Sequence, residues 1–196
     1  MLGRAVLTLV VLTLVLGACS RREPEMPAPQ QEVPDTAGEG ARRAAQMRAD
    51  SIARAEADRR RLEEEARARN ARVRAMLEEM VFFEYDRSDI RTDQQQALQQ
   101  KVAVLRANPD VALRITGHAD ERGSIEYNLA LGMRRAESVR QYLTGFGLDG
   151  SRFSTETMGE DQPLDPGQTE AAYARNRRAE FMITRGGENL VMPGDR

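Results

Sequence analysis

Residues 117–136 contain a carboxylate and a guanidinium that could face one ligand; their sequence is G-H-A-D-E-R-G-S-I-E-Y-N-L-A-L-G-M-R-R-A. Asp120 follows an alternating apolar run, which predicts a strand that ends in a loop carrying Asp120. Arg135 lies on the helix predicted next. A carboxylate accepts hydrogen bonds from an ammonium group, whereas an arginine can donate two to a carboxylate. The pair therefore suits a zwitterionic amino-acid centre.

The helix predicted over residues 125–146 presents two separate faces. Leu131 and Arg135 are four residues apart and share one face, so Leu131 is expected beside the same ligand. A second stripe suits packing on a sheet and consists of Gly132, Ala136, Val139 and Leu143. From spacing alone an alternative stays open, in which Asp120 and Arg135 simply pair with each other as a structural ion pair.

His118 is the only histidine and lies two residues before Asp120. A His and Asp pair can perform acid–base chemistry. However, the chain has no second histidine for a zinc site, and no serine lies in a nucleophile elbow. We therefore predict a protein that is not an enzyme and that needs no metal or cofactor. His118 is expected to orient the Asp120 loop or to pack at the strand end, and to tune the pocket by titrating near neutral pH.

The composition limits the size of the folded part and the kind of partner. The chain has 196 residues, no Trp and 5% aromatic residues, which leaves room for one ordinary domain plus extensions. Its formal net charge is -2. This value argues against a nucleic-acid binder that neutralises phosphates.

The first residues predict export and lipid attachment. Residues 1–18 have a basic start, a short apolar run and small residues at the end, as in a secretory signal peptide. The run is too short for a membrane span. Residues 16–19, L-G-A-C, resemble a bacterial lipobox, and Cys19 is the only cysteine. Cys19 is therefore predicted to carry the lipid, the alternative being a stray thiol. By the sorting rule of enteric bacteria, Ser20 after it indicates the outer membrane.

Two extensions are predicted between Cys19 and the domain. Residues 19–40 are rich in Pro, Gln and Glu, which predicts a flexible linker. Residues 41–79 consist largely of Ala, Arg and Glu, and opposite charges recur at four-residue spacing, which predicts a charged helical spacer. Apolar residues are sparse there and form no sustained heptad seam, so a single helix is favoured over a coiled coil.

A domain is predicted over residues 80–185, with a disordered tail at 186–196. Its strands are predicted at 80–85, 111–116 and 153–158 and at a last segment where Ala179, Phe181 and Ile183 alternate. Helices are predicted at 93–107, 125–146 and, briefly, 169–175. The first helix is expected to make a right-handed crossover between parallel neighbouring strands.

The motifs H-A-D-E-R-G and Y-N-x-x-L-G-x-R-R-A resemble the peptidoglycan-binding signature of OmpA-like domains. Ala119 and Gly132 favour the subgroup of peptidoglycan-associated lipoproteins (Pal). The resemblance covers about residues 80–184 and includes V-F-F-E-Y-D-R-S-D-I at 81–90 and N-R-R at 176–178. It implies an α+β sandwich of order β-α-β-α-β-(α)-β, with about four mixed strands and helices on one face, preceded here by the long charged helix.

The resemblance also implies the ligand and further site residues. The ligand would be the side-chain centre of meso-diaminopimelate in the peptidoglycan stem peptide, with its ammonium on Asp120 and its carboxylate on Arg135. Tyr85 and Asp86 match residues that help to form the pocket; from the sequence alone they could be a core residue and a turn former. Asn176 and Arg177 match residues near the pocket rim, the alternative being a helix end and its cap.

The function implied is that of an outer-membrane lipoprotein whose domain faces the periplasm and anchors the membrane to the cell wall. As partners the resemblance implies TolB and the other Tol proteins, with a role in envelope integrity and cell division. One alternative is a wall-anchoring OmpA-like lipoprotein without a Tol partner. Another, from a different class, is a peptidoglycan hydrolase.

Overall fold

The computed structural model describes residues 36–194, with side chains from residue 38. The helices are α1 (Thr36–Glu78), α2 (Gln95–Ala107), α3 (Ile125–Gly145) and α4 (Glu170–Asn176). The strands are β1 (Val81–Phe82), β2 (Ala112–His118), β3 (Phe153–Gly159) and β4 (Arg178–Arg185). The predicted leader and Cys19 lie outside the described residues.

The described chain belongs to two compact units, 1–49 and 50–196, and α1 contributes residues to both. The helix begins at Thr36, so the last residues of the predicted flexible linker are helical. In the second unit, opposite charges at four-residue spacing on α1 form ion pairs, among them Arg59–Glu63 at 3.3 Å and Arg61–Glu65 at 3.9 Å. None of the described helices combines the length and the apolar character needed to span a bilayer.

The four strands form one mixed sheet in the order β1-β4-β2-β3. Strand β2 is parallel to β3 and antiparallel to β4, and β1 is antiparallel to β4. Helix α3 therefore connects parallel neighbours. The crossover predicted through α2 is wrong in one respect, because β4 inserts between β1 and β2 and the two are not neighbours. Periodicity along one segment carries no information about a strand that arrives later in the chain.

The predicted α+β sandwich is confirmed, with the core between one face of the sheet and the helices. The core includes apolar residues predicted to face it on α3 and β4, and apolar residues at helical spacing on α2, namely Ala136, Val139, Leu143, Ala179, Phe181, Leu98, Val102 and Leu105. Part of the opposite face of the sheet is exposed. There Met182 is 57% exposed and Arg114 pairs with Glu156 at 3.7 Å.

The last turns of α1 are part of this core, which the predicted boundary at residue 80 missed. Val73 and Leu77 are fully buried in the hydrophobic cluster. The buried Lys101 of α2 donates to the carbonyls of Met76 at 2.7 Å and Leu77 at 3.3 Å. The last carbonyls of a helix lack partners within the helix, so Lys101 satisfies them and ties α1 to α2.

The prediction of a disordered tail from residue 186 is also wrong for its first half. Leu190 is buried in the core. The Asn108 side chain forms two bonds with Val191, donating to its carbonyl and accepting from its amide, both at 2.8 Å. Asn108 ends α2, so a residue that the sequence shows only as a helix stop also fixes the returning chain.

The first strand is shorter than the predicted 80–85, because the chain leaves the sheet in a tight turn. The amide of Arg87 donates to the carbonyl of Glu84 at 3.3 Å, and Asp86 adopts φ 54°. Asp tolerates this left-handed conformation better than most residues. The turn directs the Glu84 and Arg87 carbonyls inward, toward the N-terminal half of α3.

Helix α3 lies directly against β2 because two glycines meet. A Cβ atom added at Gly117 would come within 1.8 Å of the Gly132 carbonyl oxygen, and one added at Gly132 within 2.3 Å of Thr157 Oγ1. Backbone therefore contacts backbone at this point. The contact brings the next turn of α3, with Arg135, beneath the end of β2.

Candidate functional site

The Arg135 guanidinium is fully buried and holds three chain segments together. Its Nη1 donates to the His118 carbonyl at 2.7 Å, at the end of β2. Its Nε and Nη2 donate to the carbonyls of Arg87 at 2.8 Å and Glu84 at 3.1 Å, on the turn after β1. The turn and the strand end are thus fixed by one side chain, and the cavity described below lies among them.

Arg135 also keeps capacity for a ligand. A guanidinium has five N–H groups; three of them donate to these carbonyls, so two remain. Burial lowers the pKa of Arg135 to about 10, with Arg177 acting in the same direction and Asp120 and Asp86 opposing it. The group is therefore cationic at neutral pH. It is both a structural donor and a possible carboxylate partner.

Asp120 is buried two residues beyond β2 and forms ion pairs with two arginines other than the expected one. Arg122 contacts both carboxylate oxygens, with Nε 3.2 Å from Oδ1 and Nη2 2.7 Å from Oδ2. Arg177 Nη1 donates to Oδ2 at 3.1 Å. Within the described chain these are its ion-pair partners, so the alternative of a direct Asp120–Arg135 pair is wrong.

The electrostatics keep Asp120 ionised. Burial by itself would raise the pKa of Asp120, but the hydrogen bonds from Arg122 and Arg177 outweigh it and the pKa is lowered. The carboxylate is thus a fixed negative charge at the site, and its contribution to stability is lost only when the pH falls below the ordinary aspartate range.

Arg122 is a site residue that the sequence-based prediction missed. Its guanidinium lies over two aromatic rings, 4.1 Å from the centroid of the exposed Tyr85 and 4.4 Å from that of the partly buried Tyr173. It also forms an ion pair with Glu170 at 3.0 Å. Its place in H-A-D-E-R-G, two residues after Asp120, was the available signal, because side chains at that spacing in a turn can meet.

Tyr85 and Asp86 lie on the turn held by Arg135 and form an outer wall of the site. Tyr85 is 54% exposed, so the alternative that it is a core residue is wrong. The Tyr127 hydroxyl donates to Asp86 Oδ1, and this bond raises the pKa of Tyr127. Tyr127 lies in the first turn of α3 and was not predicted as a site residue, although it belongs to the Y-N motif.

These side chains surround a cavity of about 110 Å³. Its lining includes five of the seven predicted ligand residues: Tyr85, Asp86, Asp120, Leu131 and Arg135. The lining residues that were not predicted are Arg122, Gly123, Tyr127 and Asn128. Pockets for drug-sized ligands are about 300–1,000 Å³, so this one admits a head group rather than a whole peptide.

Asn176 and Arg177 do not line the cavity. The side-chain amide of Asn176 forms two hydrogen bonds with a loop. It accepts from the backbone amide of Asp165 at 2.9 Å and donates to the Asp165 carbonyl at 2.8 Å. Arg177 is buried and supports the site from behind, since it donates to Asp120 and to the Phe83 carbonyl at 3.2 Å. The structure therefore gives both residues supporting positions outside the cavity lining, and a contact of either with the ligand stays a prediction.

The backbone of His118 contacts the site, whereas its side chain points to the other side of the sheet. Its carbonyl accepts from Arg135, and its ring is buried with neither nitrogen hydrogen-bonded among the described residues. Burial and Arg178 lower the pKa of His118 to about 4, against the opposing effect of Glu180 and Glu156. The predicted titration near neutral pH is therefore wrong.

Known proteins with the same architecture were found by sequence and by structure. The family model described as "OmpA family" matches residues 82–177. The chain resembles the peptidoglycan-associated lipoprotein of Burkholderia pseudomallei in its crystal structure, with a TM-score of 0.52 and 38% identity over 53% of this chain and 88% of that one. The chain belongs to the OmpA family. The resemblance identified from its motifs is thereby confirmed.

Two curated relatives are also named peptidoglycan-associated lipoprotein. That of Haemophilus influenzae is 44% identical over 99 residues, which are 50% of this chain and 65% of the relative. That of Pasteurella multocida is 42% identical over 99 residues, covering 50% and 66%. The match thus spans slightly less than two thirds of these relatives.

The buried histidine makes a prediction about stability and pH. His118 is neutral in the folded chain down to about pH 4, whereas in the unfolded chain it takes up a proton near its ordinary value of 6.5. The unfolded state therefore binds more protons between these values, and stability falls as the pH is lowered from 6.5 to 4. We expect a loss of about 2–3 kcal/mol, measured by urea unfolding at several pH values.

The variant His118→Gln should show a flatter pH dependence in that window, whatever its absolute stability. Since His118 is the only histidine, no other imidazole contributes. An unchanged slope in the variant would show that another group is responsible. The carboxylates with lowered pKa values, such as Asp120, act mainly below this window.

Proposed function

We propose that the chain binds peptidoglycan non-covalently, through the side-chain amino-acid centre of meso-diaminopimelate in the stem peptide. The observation that carries the proposal is a small cavity lined by two carboxylates and two guanidinium groups, Asp86, Asp120, Arg122 and Arg135. Their formal charges sum to zero, which matches a zwitterion. A ligand with a single charge would leave a buried opposite charge uncompensated.

In this proposal Asp120 binds the ammonium and the two remaining N–H groups of Arg135 bind the carboxylate. Leu131 contacts the methylene groups next to the centre, and Tyr85 and Asp86 close the outer side. The head-group size of the cavity agrees with recognition of one amino-acid centre at the end of a longer chain. The names of the relatives support peptidoglycan as the polymer that carries it.

The attachment of the outer membrane to the wall would follow from two anchors on one chain. We propose that Cys19 carries the lipid in the outer membrane and that residues 19–79 connect it to the domain in the periplasm. Confinement near the wall raises the effective concentration of stem peptides, so weak single sites suffice. No catalytic step is part of this proposal.

The proposal is tested by co-sedimentation of the full chain, in detergent, with purified sacculi of the diaminopimelate type. Asp120→Asn keeps the size of the side chain but removes the charge that would bind the ammonium. A hydrogen bond to a charged group contributes about 1.5–3 kcal/mol, so the variant should bind at least about tenfold more weakly.

The matched control is Asp89→Asn, which makes the same chemical change on an exposed carboxylate that pairs with Arg87 outside the cavity. It should bind like the wild type. Thermal unfolding followed by circular dichroism establishes that both variants are folded. Equal binding by folded Asp120→Asn and wild-type chains would refute the assignment of Asp120.

We further propose, from the family resemblance, that the protein works within the Tol–Pal system, with TolB as a partner and a role in envelope integrity and cell division. Affinity isolation of the full chain from cells that encode TolB tests this step separately. Recovery of TolB is expected. Its absence would favour the alternative of a wall anchor without a Tol partner.

A further inference from the structure

The hydrogen bonds of Asp120 leave little room for the proposed ligand. A carboxylate has about four acceptor positions. Here Oδ1 accepts from the Arg122 amide at 3.3 Å and from Arg122 Nε at 3.2 Å, and Oδ2 accepts from Arg122 Nη2 at 2.7 Å and from Arg177 Nη1 at 3.1 Å. Both oxygens are therefore saturated, and the Arg122 side chain supplies two of the four bonds.

An ammonium group can only donate hydrogen bonds, so it must take an acceptor position from one of the two arginines. Arg177 is poorly placed to give up its hydrogen bond to Asp120. Its side chain is 5% exposed and is also bound to the Phe83 carbonyl. A guanidinium that moved away from there would lose its hydrogen bonds inside the protein.

Arg122 is well placed to give up its side-chain hydrogen bonds to Asp120. Its side chain is 32% exposed and lines the cavity itself. Its other contacts are with exposed or partly exposed groups, namely the rings of Tyr85 and Tyr173 and the carboxylate of Glu170, which is 65% exposed. Such contacts are weak and can be kept by a guanidinium that has rotated away from Asp120.

Resting on the function proposed above, we infer that Arg122 occupies the ammonium position of the site and that the ligand binds by displacing its side chain from Asp120. Arg122 is thus a specificity residue. Because Asp120 is buried, only a group that brings its own positive charge can replace the guanidinium without leaving that carboxylate undercompensated. The Arg122 side chain thereby rejects neutral analogues of the amino-acid centre.

The displacement has a measurable cost, because the affinity of a site that is only partly available is reduced by the available fraction. The test is the dissociation constant of the full chain for a stem tripeptide that ends in meso-diaminopimelate, measured by isothermal titration calorimetry at fixed ionic strength. If Arg122 competes with the ligand, Arg122→Gln binds the peptide at least threefold more tightly than the wild type. If Arg122 instead contacts the ligand, the same variant binds more weakly.

Arg114→Gln is the matched control, since it removes the same charge from the exposed face of the sheet, where Arg114 pairs with Glu156. Its affinity should equal that of the wild type. Arg122→Lys is the second variant and keeps the charge without the forked contact. It should bind more tightly than the wild type but less tightly than Arg122→Gln, and it tests the inference if Arg122→Gln does not fold.

The outcomes separate the inference from the proposed function. Tighter binding by the Arg122 variants, with an unchanged Arg114→Gln, supports displacement. Unchanged or weaker binding by folded Arg122 variants, while the wild type binds and Asp120→Asn does not, overturns the inference and leaves the proposed function standing. A wild type that binds no peptide overturns both.

Discussion

The site depends on one buried guanidinium. Arg135 carries its charge into the protein interior and bonds to carbonyls from the end of β2 and from the turn after β1. Strand β1 ends at Phe82, so these bonds hold the turn where the strand no longer does. The close contact of Gly117 and Gly132 allows α3 to bring Arg135 to this point. The same side chain therefore builds the cavity and faces into it.

A buried cation must be balanced, and the balance here is shared among several residues. Asp120 and Asp86 favour the charged form of Arg135, whereas burial and Arg177 disfavour it. Asp120 is itself bonded to Arg122 and Arg177. The result is a compact group of alternating charges in which Arg122 is the most exposed cation. In such a group the exposed cation is the one that a cationic ligand group can replace at the lowest cost.

The sequence predicted those features that depend on local patterns. Alternation in β2 and helical spacing in α3 placed Asp120 and Arg135 on adjoining elements, and both line the cavity as expected. The core stripe beginning at Gly132 was predicted in the same way. The family resemblance added Tyr85 and Asp86, whose types alone also fitted a core residue and a turn former. These features could be predicted because each depends on one segment and its immediate neighbours in the sequence.

The features that were missed arise between segments distant in sequence. Val73 and Leu77 appear as isolated apolar residues on a charged helix, and only their burial against the sheet shows that they belong to the core. The burial of Lys101 could not be predicted for the same reason, since its hydrogen-bond partners are carbonyls at the end of α1 and not acidic side chains. The pairing of Asp120 with Arg177 likewise joins residues 57 positions apart. Arg122 is the exception, since it lies only two residues from Asp120 and was missed although H-A-D-E-R-G contained a local signal for it.

The most direct test of the central claim compares two ligands on the unaltered full chain. One is a stem tripeptide ending in meso-diaminopimelate, and the other is the same peptide ending in L-lysine, which keeps the side-chain ammonium but lacks the carboxylate that Arg135 would bind. Calorimetry should give at least about tenfold tighter binding of the diaminopimelate peptide, because a charge-assisted, bidentate contact is lost with lysine. Equal affinities would contradict recognition of a zwitterionic centre by this cavity.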